Sequence, residues 1–125
     1  AGFAMLEALA PSLAVADDYF RKMATNGNSI LRLLHYPPVP PDADPNAVRA
    51  AAHEDINLIT ILVAAEGGGL ELLDRDGNWL PIETDPDNLI VDAGDMLARA
   101  TNDVIPATTH RVVNPKGPNV SRYSM

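Results

Sequence analysis

Apolar positions at helical spacing mark the first part of the chain. Apolar side chains recur at this spacing up to Pro11, and a second apolar group follows at Tyr19, Phe20 and Met23. Proline cannot continue a helix, so the first helix should end near Pro11. These spacings predict one or two short helices within residues 1–29.

The remainder of the chain has a β pattern. From residue 30 onward, short apolar runs rich in β-branched residues alternate with Gly, Pro, Asn and Asp, which interrupt strands. Many short strands separated by turn residues are typical of a sandwich or barrel, and a set of about eight suits a jelly roll. We therefore predict a mainly β fold. The predicted strands are residues 30–36, 53–65, 70–73, 79–82, 89–92, 96–100, 108–114 and 121–125.

The length of the chain favours one domain, because 125 residues suit a single core. Within it we predict an N-terminal helical segment, residues 1–29, and a β core, residues 30–125. The sequence begins with Ala1 and ends at Met125, immediately after a predicted strand. We therefore expect it to be a piece of a longer protein, truncated at both ends.

Composition excludes several classes of partner and site. The net charge is −8 and no cluster of Lys and Arg is present, so neither nucleic acid nor an anionic membrane is an expected partner. No apolar run approaches the roughly 20 residues of a transmembrane helix. The chain has no cysteine, which excludes disulfides and thiolate metal ligands and fits a reducing compartment. We expect a cytoplasmic protein.

Two histidines and one aspartate give the first chemical signal. If residues 53–65 form a strand, His53 and Asp55 point to the same face, because strand side chains alternate with period 2. His110 lies on a later predicted strand and offers a third donor. Two histidines and a carboxylate with open positions opposite are the ligand set of non-haem Fe(II) oxygenases. The His-x-Asp triplet alone arises easily by chance, so the hypothesis depends on the combination.

A second signal lies near the end of the chain. Arg122 and Ser124 share one face of the last predicted strand, and together they offer a guanidinium fork and a hydroxyl for one carboxylate. Asn57 continues the face of His53 and Asp55 by period 2, which makes it the predicted substrate contact. Thr60 would join that face only if a bulge intervened.

Seven short motifs occur in a fixed order: Tyr36-Pro37-Pro38; His53-Glu54-Asp55; Gly68-Gly69-Leu70; Gly77-Asn78-Trp79; Gly94-Asp95-Met96; Thr109-His110-Arg111-Val112; and Arg122-Tyr123-Ser124. In order and spacing they resemble the iron- and 2-oxoglutarate-dependent dioxygenases, in the branch that includes isopenicillin N synthase and the plant flavonoid and hormone oxygenases. The likeness covers about residues 30–125.

This resemblance implies a double-stranded β-helix, a cupin-like jelly roll, in which His53, Asp55 and His110 hold Fe(II). It also implies that 2-oxoglutarate and O₂ are co-substrates. Arg122 and Ser124 would then bind the far carboxylate of 2-oxoglutarate, and Tyr36 matches a tyrosine near that co-substrate. The implied activity is oxidation of a small organic substrate, most often hydroxylation, with release of succinate and CO₂.

Two alternatives remain open at this point. The family commonly has Asn two residues before the matching tyrosine, whereas this chain has Leu34. Arg-x-Ser also occurs in isopenicillin N synthase, which uses no 2-oxoglutarate, so a similar 2-oxoglutarate-independent oxidase is the nearest alternative. The abrupt ends of the chain motivate another alternative, a catalytically silent jelly-roll binding module.

Overall fold

A computed structural model describes residues 1–63, 68–83, 85, 87–114 and 116–125. The chain separates into two compact units, Ala1–Arg32 and Leu33–Met125, and each is described by itself. No helix among the described residues combines the length and the apolar character needed to traverse a bilayer.

The first unit is helical, as the apolar spacing predicts. Helix α1 spans Gly2–Leu9 and runs into a short 3₁₀ turn at Ala10–Leu13, where Pro11 ends the regular helix. Helix α2 spans Tyr19–Ala24. An ion pair between Glu7 and Arg21 joins the two helices. The buried side chains of this unit are Leu6, Ala10 and Phe20.

The second unit contains eight strands and one helix within its described residues. Helix α3 spans Asp95–Ala100, between the sixth and seventh strands. The strands are β1 Leu34–Tyr36, β2 Ala50–His53, β3 Ile59–Val63, β4 Leu70–Leu73, β5 Trp79–Pro81, β6 Leu89–Ala93, β7 His110–Val112 and β8 Arg122–Ser124.

The strands pair in antiparallel fashion, and most partners are distant in sequence. One sheet has the order β2-β7-β4-β5, and two further ladders pair β3 with β6 and β1 with β8. The backbone N–H of Val63 donates to the carbonyl of Met125 at 2.8 Å, which brings the end of β3 beside the residue that follows β8. The predicted mainly β jelly roll with short N-terminal helices is confirmed.

The prediction of a strand at residues 96–100 is wrong, because this segment forms α3. The sequence Asp-Met-Leu-Ala-Arg-Ala is rich in strong helix formers, and Asp95 suits the first turn. The first amides of a helix lack partners within it. Here the N–H groups of Asp95 and Met96 donate to the carbonyls of Asp55 and Asn57, at 2.8 and 3.1 Å.

The prediction of one strand over residues 53–65 is also wrong. Strand β2 ends at His53 and β3 begins only at Ile59, so Asp55 lies in the loop between them. The carbonyls of that loop bond to α3, so they are unavailable to a β-ladder. Ala64 and Ala65, where the predicted strand ended, lie outside the described residues.

Candidate metal centre

The two histidines are held side by side by the main sheet. His53 of β2 is the register partner of His110 of β7, and their ring centroids are 4.4 Å apart. The Nδ1 atoms lie 2.7 Å from the carbonyl oxygen of Ala51 and 3.0 Å from that of Thr108, respectively. A carbonyl only accepts hydrogen bonds, so each Nδ1 must carry the proton. Each Nε2 is then left with a lone pair for a metal.

Asp55 is oriented by a hydrogen bond from Thr60 of β3, and Asn57 of its own loop bonds to that threonine. Its Oδ2 accepts a hydrogen bond from the hydroxyl of Thr60, and the Thr60 oxygen accepts one from Asn57 Nδ2 at 2.8 Å. Its other oxygen, Oδ1, lies 3.7 Å from His53 Nε2. Oδ1 is therefore the oxygen near His53 Nε2, while Oδ2 is occupied.

One ligand atom from each of His53, Asp55 and His110 lies within 4.8 Å of the others. Two neutral imidazoles and one carboxylate fit Fe(II), with positions left open for other ligands. The structure thus brings the three predicted residues together, but not for the predicted reason. Asp55 reaches the histidines from a loop, not by alternation along a strand.

Asp92 is a residue at this site that the sequence did not point to. Asp92 lies within β6, its side chain is only 17% exposed, and its Oδ2 lies 3.5 Å from His110 Nδ1. Burial raises the pKa of Asp92, while the charge of His110 and a hydrogen bond from the Thr108 side chain act in the opposite direction. Its place in the apolar run Leu-Ile-Val-Asp-Ala was the available signal.

Thr60 is the other missed residue. Sequence reasoning preferred Asn57, because Thr60 would face the site only through a bulge. In the structure residues 54–58 are not a strand, so the period-2 argument for Asn57 is wrong. Thr60 contacts the Asp55 carboxylate, and the Asn57 amide donates to Thr60.

The predicted carboxylate-binding residues lie on the β1–β8 ladder. Arg122 and Ser124 are both buried, on the same face of β8. Tyr36 is the register partner of Arg122, whose guanidinium carbon is 5.3 Å from the Tyr36 ring centroid. Leu34 is the register partner of Ser124 and shares this face.

The Arg122 guanidinium is a buried cation. Its Nε donates to the carbonyl of Gly68 at 3.1 Å. Burial lowers the pKa of Arg122, Tyr36 acts in the opposite direction, and the charge of Arg49 lowers the pKa further. Within the described part of the chain no Asp or Glu forms an ion pair with it. A buried charge is costly unless an opposite charge accompanies it, so this position fits the carboxylate of a bound ligand.

Residues that flank the candidate ligands have partners of their own. Glu54 accepts a hydrogen bond from the Thr109 hydroxyl at 2.7 Å. Arg111 pairs with Glu71 at 2.6 Å, and its guanidinium lies 3.9 Å from the Trp79 ring centroid. These contacts give the flanking residues structural roles.

The sequence is similar to that of several oxygenases. The profile of the 2OG-Fe(II) oxygenase superfamily matches residues 27–125. The proline hydroxylase buaE of Petromyces alliaceus is 38% identical over 117 residues, which cover 90% of this chain and 37% of that protein. The 2-oxoglutarate-Fe(II) type oxidoreductase hxnY of Emericella nidulans is 36% identical over 123 residues, which cover 97% of this chain and 35% of that protein.

Solved structures show the same relationship. A 2OG-Fe(II) oxygenase family protein from Caulobacter crescentus superposes with a TM-score of 0.87 at 54% identity, over 98% of this chain and 40% of that one. A full-length Neurospora crassa protein, solved in complex with α-KG, gives a TM-score of 0.87 at 37% identity, over 95% and 38% of the two chains. The chain therefore spans about two fifths of the length of these relatives. It belongs to the 2OG-Fe(II) oxygenase superfamily.

Proposed function

We propose that the protein is a non-haem Fe(II)- and 2-oxoglutarate-dependent dioxygenase that hydroxylates a small organic substrate. The observation that carries this proposal is the convergence of His53, Asp55 and His110, with one ligand atom of each within 4.8 Å of the others. The core for this activity is residues 30–125, preceded by the helical segment 1–29. A cytoplasmic location stays a prediction from the cysteine-free sequence.

The three ligands act by binding and orienting the metal. His53 and His110 offer Nε2, because the backbone carbonyls of Ala51 and Thr108 hold the proton on each Nδ1. Asp55 offers Oδ1, because Thr60 occupies Oδ2. Fe(II), 2-oxoglutarate and O₂ supply the oxidising chemistry when bound, giving succinate, CO₂ and a hydroxylated product.

Arg122 and Ser124 would hold the far carboxylate of 2-oxoglutarate. The guanidinium is buried and has no ion-pair partner in the described chain, and the hydroxyl two residues later lies on the same face. A planar fork binds a carboxylate through two parallel hydrogen bonds. Tyr36, opposite Arg122, forms the adjacent wall of this position.

The substrate class is proposed only as a small organic molecule. The relatives include a proline hydroxylase, and the similar Neurospora crassa protein has also been solved in complex with thymine. Asn57 is exposed beside the metal ligands, and we keep it as a proposed substrate contact.

Calorimetric titration of the metal-loaded, intact protein with 2-oxoglutarate tests this function. We expect saturable binding that weakens at least about tenfold in Arg122→Lys, since a hydrogen bond to a charged group contributes about 1.5–3 kcal/mol. The control is Arg99→Lys, an exposed position on α3, which should bind normally. Metal uptake without 2-oxoglutarate binding would favour the isopenicillin N synthase-like oxidase. Failure to take up metal would favour the silent binding module.

A further inference from the structure

Thr60 and Asp92 face each other across the β3–β6 ladder as direct register partners. Cross-strand partners carry their side chains on the same face of a sheet. From that face each of the two contacts a different residue of the candidate metal centre. The Thr60 hydroxyl donates to Asp55 Oδ2, and Asp92 Oδ2 lies 3.5 Å from His110 Nδ1.

We propose that Thr60 and Asp92 form a positioning pair, in which this one cross-strand pair sets the orientation of Asp55 and of His110. This inference rests on the proposed function, because it assumes that the two residues bind a metal. It assigns roles to residues that contact ligands and are not ligands themselves.

Thr60 selects which oxygen of Asp55 is available. A hydroxyl has one proton to donate, and here the Thr60 proton is directed at Oδ2. The Asn57 amide donates to the same hydroxyl oxygen at 2.8 Å, which fixes its rotation. With Oδ2 occupied, Asp55 would bind the metal through Oδ1 alone. A carboxylate released from this bond could also place Oδ2 on the metal, where it would compete with a chelating keto acid.

Asp92 acts on the opposite side of His110 from the metal position. Its Oδ2 is buried and has no hydrogen-bond partner among the described residues. His110 Nδ1–H lies 3.5 Å away and is already directed at the carbonyl of Thr108. A carboxylate beside the distal N–H of a ligating imidazole fixes the ring and raises its basicity as a ligand. The Asp92 carboxylate also places a negative charge beside the His110 ring, which metal binding would make more positive.

If the role of Thr60 were only structural, a substitution that preserves the strand should leave metal binding unchanged. Threonine is a common strand residue because its branched side chain packs well in a sheet. Valine has the same shape and an equal or better strand preference, so Thr60→Val should preserve the ladder and remove only the hydroxyl. Asp92→Asn likewise keeps size and shape while removing the charge.

The test is Co(II) titration of the intact protein under anaerobic conditions, followed by the visible absorption of the bound cobalt. We expect Thr60→Val and Asp92→Asn each to weaken Co(II) binding by about 10- to 100-fold, the range found when outer partners of metal ligands are removed. Thr60→Ser, which keeps the hydroxyl, should bind Co(II) within about threefold of the unaltered protein. The absorption spectrum of the Thr60→Val complex should also change shape, because Asp55 gains a second free oxygen.

Thr109→Val is the matched control. It likewise removes a threonine hydroxyl, but the Thr109 hydroxyl donates to Glu54 and not to a proposed ligand. Its Co(II) affinity should equal that of the unaltered protein. If Thr60→Val and Asp92→Asn bind Co(II) as tightly as Thr109→Val, the positioning pair is wrong while the proposed function stands. If the unaltered protein binds no Co(II), the proposed function fails and the inference fails with it.

Discussion

His53 and His110 are direct register partners on two neighbouring antiparallel strands, and their ring centroids are 4.4 Å apart. The separation of the two proposed nitrogen ligands is therefore set by the ladder that joins β2 to β7. The third proposed ligand, Asp55, follows β2 in a loop that the first amides of α3 hold by hydrogen bonds. The candidate centre therefore combines two histidines fixed by a β-ladder with a carboxylate whose loop is held by α3.

Removal of one histidine should abolish metal binding at little cost to the fold. In His53→Ala we expect loss of stoichiometric Co(II) uptake and a change in unfolding free energy within about 0.5 kcal/mol, because the side chain is exposed. His35→Ala is the control, since His35 is an exposed histidine that stacks on Tyr123 at 4.6 Å. Metal analysis and urea denaturation check both statements. Full Co(II) uptake by His53→Ala would remove this residue from the ligand set.

Gly94→Ala should disturb the loop that carries Asp55. A Cβ at Gly94 would collide with the backbone oxygens of Asn57 and Asp55. We expect destabilisation of about 1–3 kcal/mol, as found for added methyl groups in close-packed sites, together with weaker Co(II) binding.

Gly117→Ala is the comparison for this prediction, because a Cβ at that position would meet no atom within 4 Å. Chemical denaturation and Co(II) titration of both variants provide the measurements. Equal stability and equal affinity in the two variants would show that the close approach of Gly94 to the loop has no consequence.

Asp74 should make stability depend on acid pH. Its carboxylate accepts hydrogen bonds from the backbone N–H of Asn78 and of Asp76, at 2.7 and 2.9 Å, in the turn between β4 and β5. The bond from Asn78 is the leading cause that lowers the pKa of Asp74 below its ordinary 3.8. A lowered pKa stabilises the fold above pH 3.8, and that contribution is lost as the pH falls through the folded-state value.

The measurement is the thermal midpoint of metal-free protein from neutral to acid pH. Asp74→Asn should be less stable than the unaltered protein at neutral pH, and the two should converge in acid below pH 3.8. Asp76→Asn is the control, because Asp76 bonds to Asp74 through its backbone N–H, which the substitution keeps. If the thermal midpoints of Asp74→Asn and the unaltered protein differed by the same amount at every pH, the account would be contradicted.

The sequence could predict the cluster of two histidines and an aspartate because each of the three is a chemically distinctive residue in a distinctive order. His53, Asp55 and His110 have the right donor atoms wherever the backbone places them, so an incorrect local structure still led to the correct cluster. The alternation argument was wrong at Asp55, since a strand and a loop after a strand look alike in a short apolar run.

Other features could not be predicted because they depend on tertiary partners. The segment that forms α3 is only six residues long, and its first amides are satisfied by carbonyls some 40 residues earlier in the chain. Thr60 and Asp92 become partners through the register of β3 and β6, which periodicity within one strand does not reveal. The pairing of Arg122 and Ser124 on one strand face could be predicted, but the place of Arg122 opposite Tyr36 followed only from the β1–β8 pairing.

The central claim is that this site binds iron and activates 2-oxoglutarate, and release of CO₂ from carboxyl-labelled 2-oxoglutarate tests it most directly. The intact protein is supplied with Fe(II), ascorbate and labelled 2-oxoglutarate in the absence of organic substrate. We expect CO₂ release that requires added Fe(II), and in His110→Ala we expect release no greater than in a protein-free control. Release from His110→Ala at the rate of the unaltered protein would contradict the claim.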